Sequence, residues 1–267
     1  MRRFTITLAT LATLATLSTL STLQLGAQSV ATRVNNVREG DVRLTFPLRP
    51  GVCGSGRNVW YSGRSSYSSG DSRSSRDVEY DIDCETGPGR LVIVRRDGET
   101  TDLRFYVGGR WRASTSATDL GTVGAQAAVD YLIGLAETND GKAGREAIFP
   151  ATLADSVTIW PMLMRIARND SRPRSTRQSA TFWLGHLAEE PATRGLTELV
   201  GDAAVDREVR ESAIFALSQR RSEGVPALIN VVRTSRDPEL RKKALFWLAQ
   251  TRDPRALDLI EELLRKR

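Results

Sequence analysis

The sequence predicts an α+β multidomain chain: a small N-terminal β domain followed by a short α-solenoid of helical repeats. Three observations predict it. The triplet Ala-x-Phe recurs at Ala147-Ile148-Phe149, Ala180-Thr181-Phe182, Ala213-Ile214-Phe215 and Ala244-Leu245-Phe246, with steps of 33, 33 and 31 residues between the alanines. A period in that range marks stacked supersecondary units. Ahead of the repeats, apolar residues alternate with polar ones, as half-buried strands require. Both cysteines, Cys53 and Cys84, fall in that earlier region.

In chain order, Met1-Arg2-Arg3 is a short basic start, and Phe4 to Leu23 is an apolar run without a charge. Leu25-Gly26-Ala27 then offers a small residue before Gln28. Residues 1–27 read as a secretory signal peptide; the other reading is an uncleaved anchor, because the run is long enough to span a bilayer. No second stretch has that length, so no membrane span is expected after cleavage. The expected location is periplasmic or extracellular.

Residues 34–112 read as the β domain. Val42, Leu44 and Phe46 alternate, and Pro47 and Pro50 end that strand. Leu91 to Val94 and then Leu103, Phe105 and Val107 flank Arg96-Asp97-Gly98-Glu99, a hairpin signal. The Ser, Gly, Arg and Asp-rich stretch Ser62 to Arg76 reads as a mobile loop between the cysteines. Export makes a Cys53–Cys84 disulfide the leading reading. Two cysteines are too few for a structural zinc site, and His186, the single histidine, lies far along the chain.

Residues 113–124 read as a linker and 125–267 as the solenoid. First helices are expected near 177–188, 207–219 and 238–250, and second helices near 192–200, 224–234 and 254–265. Asp237-Pro238 and Asp253-Pro254 place Asp at an N-cap and Pro at the first helical position. Pro150 is expected to kink or end the helix of the degenerate first unit.

On a helical wheel of about 100° per residue, Val209, Ala213, Ala216 and Leu217 form one apolar stripe, and Phe215 falls opposite it. Phe182 and Phe246 fall opposite their own stripes in the same way. Three explanations stand: each ring tucks between neighbouring repeats, the β domain covers the row, or Phe182, Phe215 and Phe246 form a partner-binding surface. Trp183 and Trp247 lie on the inner stripe and read as core. Arg177, Arg210 and Arg241 recur at helix starts. They read as a structural ladder, with Asp206 and Asp237 four residues ahead of Arg210 and Arg241, rather than as an anion groove.

Val209-Arg210-Glu211-Ser212-Ala213-Ile214-Phe215-Ala216-Leu217-Ser218 resembles the first helix of a HEAT repeat, and the phycobilisome-lyase-type HEAT-like repeats are similar. Leu240 to Ala249 and Thr176 to Gly185 match it, so the resemblance covers about residues 142–267. Together with Gly51-Val52-Cys53-Gly54 and Tyr106-Val107-Gly108-Gly109, the chain resembles secreted bacterial HEAT-repeat proteins of undefined function. The resemblance implies a right-handed solenoid that binds protein. Relatives that carry iron use repeated His-Glu pairs, whereas Leu187 follows His186 here.

Other chemistry finds little support. The formal charge is +6 with both signs interleaved, so no basic stripe for nucleic acid emerges. There is no Gly-x-Ser-x-Gly elbow. The glycine-rich segment Gly51 to Gly56 lacks the Lys-Ser/Thr of a phosphate loop. Trp60 and Trp111 could line a pocket, but no convergent polar group stands near them in sequence. No catalytic residue, metal or cofactor is expected. The expected function is an exported, non-enzymatic scaffold that binds a protein partner through its helical surface. The alternatives are a lyase-like enzyme with a site between the domains and an envelope assembly subunit that self-associates.

Overall fold

The computed structural model describes residues 28–55, 58–61, 65–68, 84–113, 116–187 and 189–265. The segment read as a signal peptide and most of Ser62 to Arg76 lie outside them. Helix α1 (Val30–Asn35) leads into strands β1 (Gly40–Phe46), β2 (Cys53–Ser55), β3 (Asn58–Tyr61), β4 (Ser65–Ser68), β5 (Glu85–Thr86), β6 (Gly89–Arg96), β7 (Glu99–Val107) and β8 (Thr118–Thr122). A run of helices follows, from α2 (Ala125–Thr138) to α11 (Pro254–Arg265).

The strands form two four-stranded sheets, in the orders β7-β6-β1-β8 and β4-β3-β2-β5. The β6–β7 hairpin closes at Asp97 and Gly98, both with positive φ (53° and 82°), the conformation that the Asp-Gly pair favours. Alternation puts Val42, Leu44, Phe46, Leu91, Ile93, Leu103, Phe105 and Val107 on the buried face. Removing each such side chain from water stabilises the fold by about 1.5–3 kcal/mol.

Two stretches depart from the expectation. The part of the serine-rich stretch that is described, Ser65–Ser68, is strand β4, paired antiparallel with β3. Within the stretch read as a linker, Thr118–Thr122 forms β8, which runs parallel to β1 at the sheet edge. Its hydrogen bonds are supplied by a strand more than seventy residues earlier, which no local pattern reveals.

Cys53 and Cys84 are joined in a disulfide. It closes a separation of 31 residues across the smaller sheet, where β2 pairs with β5 beside the bond. Reducing it is expected to lower stability by about 3 kcal/mol, through the freedom regained by the unfolded chain. Urea denaturation with and without reductant measures this, and an unchanged midpoint would contradict it.

The helices lie where the repeat predicts, but each first helix packs more extensively on the second helix of the preceding unit than on its own second helix. Helix α5 (Trp160–Arg168) packs on α6 (Arg174–Leu184), α7 (Glu190–Gly201) on α8 (Arg207–Gln219), and α9 (Arg221–Thr234) on α10 (Pro238–Ala249). The first helices α6, α8 and α10 also contact one another in sequence order. In the degenerate unit, Pro150 has no N–H to offer Glu146. The helix accordingly divides into α3 (Lys142–Glu146) and α4 (Ile148–Thr152). The stripe residues Val209, Ala213, Ala216 and Leu217 are all fully buried. Close approach of α6 to α8 depends on Gly185, where an added Cβ would meet the Ala216 backbone at 2.8 Å.

The arginine ladder forms, but between repeats rather than within helices. Arg177 is 3% exposed. It donates from Nη1 to Asp206 of the next repeat at 2.6 Å and from Nε to the Ala167 carbonyl at 3.2 Å. Arg207 reaches Asp237 of the following repeat at 3.1 Å. Arg210 and Arg241 do not pair with the aspartates four residues before them. They donate to the Val200 and Ser235 carbonyls, each at 2.8 Å. A guanidinium long enough to cross to the neighbouring helix gains more from an unsatisfied helix-end carbonyl than from an exposed i,i+4 carboxylate.

The sheets and helices share one core. Phe105 of β7 meets Phe149 edge-on at 5.9 Å, and Tyr61 of β3 lies 5.9 Å from Phe149 and 5.8 Å from Trp183. Backbone bonds tie the same junction, from Arg49 N–H to the Leu153 carbonyl and from Asp155 N–H to the Pro47 carbonyl.

Candidate functional site

The four Phe residues of the repeat triplets occupy one face of α4, α6, α8 and α10, opposite the stripes that hold the helix pairs together. Their surroundings change along the row. Phe149 is 3% exposed, stacked on Trp183 at 4.7 Å beneath the β strands. Phe182 and Phe215 are half-buried and stacked on each other at 6.0 Å with 14° between their planes. Phe215 also meets Trp247 at 4.9 Å. Phe246 meets Trp247 edge-on at 5.1 Å and remains 53% exposed.

Two of the three explanations of the wheel are seen, each for different rings. The β strands cover the first ring, neighbouring repeats tuck in the middle two, and the last lies open. Trp183 is core as expected, at 5% exposure. Trp247 differs: it is half-buried, and its indole N–H is buried without a hydrogen-bond partner.

Two concavities follow this face. One, about 600 Å³, is floored by Phe149, Phe182, Trp183 and Phe215 and edged by Arg145, Glu146, Gln178 and three serines. The other, about 370 Å³, lies over Phe246 and Trp247 inside a rim of Glu211, Glu239, Lys242 and Lys243. Burial pushes the Glu146 carboxyl above its ordinary value, while Lys142 pulls it back down. Lys243 pairs with Glu211 at 3.2 Å. Rings at the centre and paired charges at the edge are the distribution found in protein-recognition patches. His186 sits at the end of α6, its Nδ1 3.0 Å from the Phe182 carbonyl and its ring 4.4 Å from the Phe182 ring. It serves as a helix-end contact beside the row.

A third concavity contains Trp111, read from the sequence as a residue that could line a pocket, together with polar groups that the sequence did not place beside it. It lies on the outer face of the larger sheet, at about 1170 Å³, and contains Trp111 with Arg43, Arg90 and Arg104. The outward alternation of Arg43, Arg90 and Arg104 on β1, β6 and β7 was the available signal. Their convergence on Trp111 depends on the pairing register. Among the described residues, no group of three or more His, Cys, Asp or Glu could hold a metal ion. No helix among them is long and apolar enough to cross a membrane.

The family model described as PBS lyase HEAT-like repeat matches residues 240–266, which span α10 and α11. No curated protein matches the chain. The matched segment carries Phe246 and Trp247, the exposed end of the aromatic row.

Proposed function

We propose that the chain is an exported scaffold that binds a protein partner on the aromatic face of its first helices, without a chemical step. The observation that carries this reading is the graded row of rings. Phe149 is sealed by the chain's own strands, whereas Phe246 leaves half its surface in water beside a tryptophan N–H that lacks an acceptor. A buried donor without a partner costs about 1–3 kcal/mol, and repacking of Trp247 against a bound backbone carbonyl would recover it. The HEAT-like match over α10 and α11 supports a recognition role for the same segment. The disulfide supports an oxidising compartment.

Site-directed photocrosslinking in the exporting cell tests the reading. A benzoylphenylalanine at position 246 is expected to capture one reproducible protein band. The same label at Glu261, on the second-helix side, is expected to give none. Equal capture from both positions, or none from position 246, would contradict it. Self-association is the second reading, because Leu257 and Leu264 at the same end are 55% and 65% exposed. Sedimentation of the purified chain separates the two: a stable oligomer supports self-association, and a monomer supports a foreign partner.

A further inference from the structure

We infer that the outer face of the larger sheet is a second binding site, for an acidic peptide segment. The strand register builds it. Arg43 of β1 lies opposite Val92 of β6, which lies opposite Arg104 of β7. One rung along, Arg90 lies opposite Tyr106. After β7 the chain turns at Gly108 and Gly109, both with positive φ (68° and 69°). This carries Arg110, Trp111 and Arg112 back over the same face.

Two arginines build the site rather than read the ligand. The Arg43 and Arg90 guanidiniums each lie 5.4 Å from the centre of the Trp111 ring, an arrangement favoured by the charge distribution of the ring. Their nitrogens are already engaged. Arg43 bonds Asp119 at 2.9 Å and the Arg112 carbonyl at 3.0 Å. Arg90 bonds the Gly108 carbonyl at 2.7 Å and the Gly109 carbonyl. These contacts fix the Arg110–Arg112 segment against the sheet.

Three further arginines supply the charge. Arg110 and Arg112 are exposed and make no ion pair among the described residues. Arg104 gives Nη2 to Asp41 at 2.6 Å, and its Nε is buried with no acceptor. By turning from Asp41 to an anion with two oxygens, Arg104 gains the hydrogen bond it now lacks. Among the described residues, the lining holds five arginines against two carboxylates, Asp41 and Glu85, an excess of positive charge.

Size and shape select the ligand class. The groove is larger than the roughly 300–1,000 Å³ of ordinary small-molecule pockets, which suits a stretch of polymer. Planar guanidinium forks match planar carboxylates. An acidic peptide needs only the cations. The inference stands apart from the helical face and does not rest on it.

Titration of the full disulfide-bonded chain with a fluorescent hexaglutamate peptide tests the inference, with a hexagalacturonate in a parallel arm. Hexaglutamate is expected to bind at low salt and to weaken as salt rises. Arg104→Gln is expected to cost about tenfold in affinity, and Arg110→Gln about fivefold. Arg252→Gln, on the helical part, should leave affinity unchanged. Arg110 is exposed and makes no ion pair among the described residues, so Arg110→Gln keeps the test valid if Arg104→Gln unfolds. The inference is overturned by absence of binding at low salt, by equal affinity in Arg110→Gln and the unaltered chain, or by preference for hexagalacturonate.

Discussion

Phe149→Ala is expected to lower the stability of the whole chain by about 4 kcal/mol, within the range for deleting a buried aromatic ring. Phe149 is 3% exposed and meets, among the described residues, the rings of Trp183 at 4.7 Å, Phe105 at 5.9 Å and Tyr61 at 5.9 Å. Two of these belong to strands and one to a helix. The cavity would open at the seam between sheets and helices, where Pro150 limits how far α4 can close over it. Urea denaturation followed by tryptophan fluorescence and by far-ultraviolet circular dichroism checks the result. Both signals should shift together to a lower midpoint. A loss below about 1 kcal/mol would mean that the seam packs loosely.

A loss of similar size, about 4 kcal/mol, is expected for Arg220→Met. Arg220 follows α8, and its side chain is 2% exposed. It donates to the Leu184 carbonyl at 3.3 Å, to the Leu187 carbonyl, to the Glu189 carbonyl at 2.9 Å and to Glu223 at 3.0 Å. Nε reaches the Thr193 hydroxyl. One guanidinium thus ties the carbonyls at the end of α6 to the one at the start of α7. Methionine fills similar volume but removes all of these hydrogen bonds, while the Leu184 and Glu189 carbonyls keep the Leu187 and Ala192 N–H groups at 3.4 and 3.1 Å. Arg220→Lys should recover little, because an ammonium cannot span the fork. Chemical denaturation of the two variants measures this, and full stability in Arg220→Lys would contradict the clamp.

Features that repeat along the chain were legible in the sequence. The Ala-x-Phe period located the first helices, the wheel separated stripe from ring, and Asp97-Gly98 located the hairpin. Features set by distant partners were not. Phe149 and Phe246 occupy equivalent places in their repeats, yet one is sealed and the other open, because strands lie over only the first. Asp206 stands four residues before Arg210, but its carboxylate is taken by Arg177 of the preceding repeat, which the wheel of a single helix cannot show. Strand β8 and the arginines around Trp111 depend on strand register. Arg220 resembles any solvated arginine in a Gln-Arg-Arg-Ser run, and only the fold turns it inward.

The claim that Phe246 marks the recognition face is tested most directly by affinity for the protein captured through position 246. Phe246→Ala and Leu264→Ala both remove an exposed side chain from the same end of the chain, so neither should cost much stability. Phe246→Ala is expected to weaken binding about thirtyfold, the effect of losing an interface anchor worth roughly 2 kcal/mol, with Leu264→Ala unchanged. Unaltered affinity in Phe246→Ala, or an equal loss in Leu264→Ala, would contradict the account.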